Sequence, residues 1–226
     1  MATFIRRATA SDSRAVSRIC LLTGNAGESA AHQHTFGELP GLVYAEPYVQ
    51  LPSAAGFVMV DPKPSSEGLG GEGEGEVVGY ILTAFDTLSF EQELEETWFP
   101  RWRAKYPNPY PTNDNSGTTD GTPATDTPPK PLPADTRYIA VIHNPHHASP
   151  ASLAFSPAHL HIDILPAYQR RGWGRKLIGT LVRWLEHEKG LQGVWLGMDV
   201  RNEDAAKFYK RLGFAPIEAR RRGLWG

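Results

Sequence analysis

Cysteine is almost absent from the 226-residue chain: Cys20 stands alone, so no disulfide can form within the chain and no four-cysteine zinc site can be built. Long apolar runs are missing too, and no stretch approaches the ~20 residues needed to cross a bilayer. The opening MATFIRRATASDS lacks the apolar core, about 7–15 residues, of a secretory signal. Nor is there an excess of one charge. The formal net charge of −2 gives no electrostatic reason to expect nucleic acid or a membrane surface as partner. The expectation is an intracellular, cytoplasmic chain, with nuclear residence open, and Cys20 as a small core residue. Oligomeric state is not legible.

What is present reads as one α/β domain over residues 1–226, since 40% of the chain is apolar and one core accounts for it. Residues 3–7 predict a strand. A helix follows, capped by Ser11 or Asp12, with Val16, Ile19, Cys20 and Leu22 as its stripe. Residues 24–52 read as weak helix and loop. Strands are expected at 56–61 and 76–85, rich in Val, Ile and aromatics, with a flexible glycine-rich hairpin loop at 62–75 between them. A helical segment over 89–107 is broken at Pro100. Residues 107–136 carry Pro, Thr, Asn, Asp and Gly and almost nothing for a core, so they read as an irregular insertion. A further strand is expected at 137–143.

The last third is the most regular. Residues 158–165 (AHLHIDIL) alternate, with Leu160, Ile162 and Ile164 on one face and His159, His161 and Asp163 on the other. A helix over 174–188 is stopped by Gly190, and strand, helix and strand follow at 193–201, 202–212 and 214–219. The order predicts a central sheet with helices on its faces.

Between strand and helix lies LPAYQRRGWGRKL. The first amides of a helix lack internal partners and the macrodipole makes that end positive, so the segment suits an anion. Gly172 and Gly174 admit close backbone approach, and Arg170, Arg171 and Arg175 add charge. A Walker A loop fails because Arg175 and Lys176 follow Gly174 where Lys and Ser or Thr are required. A Rossmann fingerprint fails at Leu177, where a third small residue is needed.

The run ILPAYQRRGWG resembles the acetyl-CoA loop of GNAT N-acetyltransferases, Gln/Arg-x-x-Gly-x-Gly/Ala after a strand. NEDAAKFYKRLGF at 202–214 resembles the same family's N-x-x-A-x-x-F-Y-x-x-x-G-F helix and turn. The resemblance implies a GNAT fold, a mixed twisted sheet of about six to seven strands with helices on both faces. It also implies acetyl-CoA as co-substrate, held by Ile164, Leu165, Gln169, Arg170, Arg171, Gly172, Trp173, Gly174, Arg175, Asn202, Ala205 and Phe208. The stretches 79–107 and 159–177 are more specifically similar to the acetyltransferase-like C-terminal domain of O-GlcNAcases and its stand-alone microbial relatives.

Acetyl transfer to an amine requires a base for the ammonium and an acid for the departing thiolate. Tyr209 is the candidate acid: it matches the family tyrosine that reaches the CoA sulfur, and its place seven residues after Asn202 puts both on one side of a helix. The base is open between Asp163 and His161, with His159 and Asp199 behind them. His143, His146 and His147 have no carboxylate spaced to complete a metal site, and none is expected. Trp98, Trp102 and Tyr106 read as a packing stripe, or as a wall of the acceptor site. The terminal ARRRGLWG reads as a solvated tail. Two functions stand: an acetyl-CoA-dependent N-acetyltransferase acting by direct attack on an amine of unknown identity, small molecule or protein lysine, or a catalytically silent acyl-CoA-binding or protein-interaction module on the same fold.

Overall fold

The computed structural model describes residues 2–62, 75–110, 129–217 and 224–225. Four antiparallel strands form the sheet in chain order: β1 (Phe4–Arg7), β2 (Ala54–Asp61), β3 (Glu76–Ala84) and β4 (His159–Ile164). β2 and β3 are near-continuous apolar runs because both faces of the sheet are covered. A register shift between Met59 and Val60 leaves one extra residue in β3, so that Val77 and Tyr80, three positions apart, pack on the same face.

One face carries α1 (Ser13–Thr23), α2 (Leu39–Tyr44), α3 (Pro47–Gln50), α4 (Thr87–Glu93), a π-helical turn (Leu94–Trp98), α5 (Phe99–Lys105) and α6 (Pro133–His143). The other carries α8 (Trp173–Lys189) and α9 (Glu203–Arg211), while α7 (Pro150–Phe155) precedes β4. Gly190 ends α8 in the left-handed conformation, as its position predicts. The stop at Pro100 takes a particular form. The π turn comes just before it, and the proline, which has no N–H to give, sits in the first turn of α5.

Several sequence expectations are corrected. Among the described residues the main sheet has four strands, not six to seven. Residues 137–143 lie in α6: an unbroken apolar run does not distinguish strand from helix, and Pro133 with Asp135, whose carboxylate accepts from Leu132 N at 2.8 Å, starts a helix. The segment 193–201 contributes only β5 (Leu196–Gly197), and 214–217 forms no strand. β5 pairs instead with β6 (Leu224–Trp225), part of the stretch expected to be a solvated tail. Asp12 does not cap α1 through its side chain; the carboxylate takes a two-point bond from Arg6 at 2.8 and 2.9 Å and the Thr9 N–H at 2.8 Å. Residues 63–74 of the expected hairpin loop and 111–128 of the expected 107–136 insertion lie outside the described residues, and 133–136, expected to be irregular, form the first turn of α6. The C-terminal end of that insertion is tied down. Asp135, wholly buried, accepts from His34 Nδ1 at 2.8 Å and Thr35 N at 2.9 Å.

Candidate active site

β4 makes the site by losing a neighbour. Leu160 N donates to Trp195 O at 2.9 Å and Trp195 N to Ala158 O at 3.0 Å, a parallel bridge between the two segments. After that bridge β4 runs on beside β3 while 196–199 turns away towards β6. A cavity of about 500 Å³ opens between them, walled by Ile162 and Asp163 on one side and by Met198, Asn202, Ala205 and Tyr209 on the other.

Asp163 faces Tyr80 across the β3–β4 pair, and the Tyr80 hydroxyl donates to Asp163 Oδ2 at 2.5 Å. Burial pushes the Asp163 carboxyl up to about 6, against the pull of the Tyr80 and Thr23 hydroxyls. It is therefore mostly ionised at pH 7 yet close enough to neutral to accept a proton. His161 is two residues back on the same face, and burial pushes it down to about 4. A neutral imidazole of such low basicity is a weaker proton acceptor than Asp163. His159 is committed to the fold: Tyr48 Oη meets its Nε2 at 2.7 Å, Thr87 Oγ1 meets its Nδ1 at 2.8 Å, and burial pushes it down to about 3. Asp199 is held by Arg201 within one exposed turn, which lowers its pKa.

Tyr209 is buried but lines the cavity, and its hydroxyl makes no hydrogen bond among the described residues. Desolvation, and then the nearby Asp163 charge, raise its pKa, so the phenol keeps its proton. Cys20 also lines this cavity, and burial raises its thiol, which leaves it no thiolate character.

The loop ahead of α8 follows from its glycines and arginines. Gln169 Nε2 donates to Ile164 O at 2.8 Å and folds the loop back on β4. Arg170 (φ 60°) and Gly172 (φ 81°) take left-handed backbone, which turns the chain into α8. Among the described residues the N–H groups of residues 170–175 meet no acceptor, and Lys176 N is the first to bond back, to Gly172 O at 3.3 Å. Free amides, a helix N-terminus and exposed Arg170, Arg171 and Arg175 fit a pyrophosphate. The two glycines differ in role. A side chain at Gly172 would enter open space, whereas a Cβ at Gly174 would lie 2.8 Å from Phe208 Cζ. Gly174 thus lets α8 and α9 touch. Phe208 packs there and on Tyr209, and Asn202 Oδ1 caps α9 by accepting from Ala205 N at 3.0 Å. Trp173 lies half-buried under the Lys176 ammonium at 4.1 Å, and Leu165 N bonds Val78 O at 3.0 Å.

A second cavity, of about 520 Å³, meets the first at Tyr44, Leu160, His161, Gly197 and Met198. No sequence pattern announces it, because its walls come from 43–48, 87–99, 141–149, 195–198 and β4, and only the fold gathers them. Tyr80 was missed for the same reason. Trp98, Trp102 and Tyr106 pack into the core beneath α2 and are absent from this cavity's walls. His143 Nε2 bonds Tyr106 O at 2.7 Å and His147 Nδ1 bonds Glu91 at 2.8 Å. Among the described residues no group of three or more His, Cys, Asp and Glu is placed to hold a metal, and no helix is long and apolar enough to cross a membrane.

The model of the acetyltransferase (GNAT) family matches residues 134–214, which span α6, the cleft, the glycine loop and α9. The chain is 32% identical to SsHAT, whose crystal structure it matches with a TM-score of 0.78 over 100% of this chain and 97% of that one. It is 43% identical over 61 residues to the [ribosomal protein bS18]-alanine N-acetyltransferase of Haemophilus influenzae, a match over 26% of this chain and 40% of that protein's length.

Proposed function

Because the chain belongs to the acetyltransferase (GNAT) family, whose members use acetyl-CoA, we propose that it transfers the acetyl group of acetyl-CoA to a primary amine by direct attack in a ternary complex. The observation that carries this reading is one cavity holding Asp163 and Tyr209 together, with the unpaired amides of the α8 entry packed against the helix that bears Tyr209. The donor supplies an acyl group activated as a thioester. Asp163 takes a proton from the incoming ammonium, which frees the nitrogen lone pair. The N–C bond forms, the C–S bond breaks, and Tyr209 gives its proton to the sulfur. The second proton shed by the nitrogen returns to the Tyr209 oxygen as the amide forms, while Asp163 releases its own to solvent. Asn202 fixes the start of α9 and so the height of Tyr209 in the cleft. The backbone N–H groups of 170–175 and the Arg170, Arg171 and Arg175 side chains hold the pyrophosphate.

The kinship to the acetyltransferase-like domain of O-GlcNAcases belongs to the same proposal, supported by the stretches GYILTAFDTLSFEQELEETWFPRWRAKYP and HLHIDILPAYQRRGWGRKL. Calorimetric titration with acetyl-CoA tests the donor half. Binding is expected, and Arg171→Glu should weaken it by about tenfold, the worth of one charge-assisted hydrogen bond. Affinity unchanged by that reversal removes the loop assignment. Binding without CoA release across a broad amine panel favours the silent module.

A further inference from the structure

The second cavity has a lining that narrows the acceptor. Its floor is the buried Phe90 and Phe99, with Leu94 and Trp195 beside them, and Val141 stands half-buried on its wall. Among the described residues no Lys or Arg side chain lines it. Most of the polar side chains that line it are already hydrogen-bonded. Tyr48 and Thr87 hold both nitrogens of His159. The Thr87 hydroxyl also donates to Pro157 O at 2.6 Å, and Trp195 Nε1 to Ser156 O at 3.0 Å. Glu91 accepts from Ala148 N at 2.7 Å and bonds His147 Nδ1 at 2.8 Å. A polyhydroxylated ligand would bury hydroxyls over an apolar floor with few open partners, and a carboxylate or phosphate would find no Lys or Arg among the described residues. Three lining groups, the Tyr44 hydroxyl, His161 and the exposed His146, make no hydrogen bond among the described residues. Tyr44 and His161 stand where the two cavities join, His161 two residues along β4 from Asp163. Away from His146, the unpaired polar capacity of the lining is thus at the junction, and the floor is apolar.

We propose that this cavity is the acceptor site, and that it takes a small primary amine on an uncharged aromatic or aliphatic body, nitrogen at the Tyr44–His161 junction and body on the Phe90–Phe99 floor. This rests on the transferase reading of the adjoining cleft. Its volume is in the range of small-molecule sites, roughly 300–1,000 Å³.

The test compares 2-phenylethylamine, glucosamine and a lysine-containing heptapeptide as acceptors by CoA release, with acetyl-CoA saturating. We expect kcat/KM for 2-phenylethylamine to exceed the other two by at least about tenfold, since a buried hydrophobic group separates substrates by about 10–200-fold. Val141→Trp should fill the cavity and lower that value by about tenfold or more, with acetyl-CoA affinity unchanged within about twofold. Should that variant not fold, Val141→Ala should shift preference towards 2-(1-naphthyl)ethylamine. Glucosamine or the peptide matching 2-phenylethylamine overturns the acceptor class and leaves the transferase standing. If acetyl-CoA binds but no amine releases CoA, the transferase reading falls. Calorimetry of 2-phenylethylamine with the CoA-saturated protein then decides the cavity: binding lost in Val141→Trp supports it, and no binding overturns it.

Discussion

Tyr80 and Asp163 sit opposite each other on paired strands, and the phenol donates to the carboxylate at 2.5 Å. Burial and this bond act in opposite directions on the acid, and burial is the larger, which leaves it at about 6. The pH dependence of kcat/KM should therefore show a rising limb near pH 6 that Asp163→Asn removes, with kcat falling by about 10²–10⁴ and acetyl-CoA affinity kept. Tyr80→Phe deletes an interaction that favours the ionised form, so the limb should move to higher pH. A limb that stays in place in both variants assigns the base elsewhere.

Tyr209→Phe removes the proposed proton donor and keeps the ring that packs on Phe208 and Phe214. Turnover should drop by about 10²-fold or more. The melting temperature and acetyl-CoA affinity should hold. Equal losses in affinity and turnover would mean that the hydroxyl serves binding.

Gly174→Ala should loosen the α8–α9 contact, because its Cβ would fall 2.8 Å from Phe208 Cζ. Phe208→Leu should recover part of the loss, with a coupling of about 1 kcal/mol or more in a double-mutant cycle read by thermal melts. Gly172→Ala has open space and suffers only from its left-handed backbone, so Phe208→Leu should not rescue it. Equal rescue of both would dissolve the distinction.

Asp135 anchors residues 34–36 to the start of α6, and its pKa lies below 3.8: its backbone and His34 bonds outweigh the burial that opposes them. Its contribution is full above the unfolded value near 3.8 and is lost as pH falls through the folded one. Asp135→Ala should cost about 3 kcal/mol at pH 7 and less at pH 3, measured by denaturant melts. A cost independent of pH would assign the effect to packing alone.

Periodicity made β4 legible, since a strict alternation places Leu160, Ile162 and Ile164 opposite His159, His161 and Asp163, and both faces are filled as that pattern requires. The glycine loop and the α9 motif were legible because local chemistry fixes them, and the family match bears out the acetyltransferase reading. Strand 137–143 was misread because RYIAVIH has no period of its own; the deciding signals, Pro133 and Asp135, stand before it. The shortfall in strands has a different origin. Segment 193–201 has strand composition, but pairing ends after Trp195, and where two strands part depends on what packs between them. Tyr80 and Glu91 could not be picked out because their partners lie 83 and 57 positions away.

The contact of Gly174 with Phe208 also bears on how this sequence can diverge. A side chain accepted at position 174 would displace the helix that seats the phenol while it disturbs the first turn of α8. The proposed donor binding and proton delivery would then be lost in one substitution. A descendant without glycine there has either repacked position 208 or given up the chemistry, and reading those two positions together tells the cases apart.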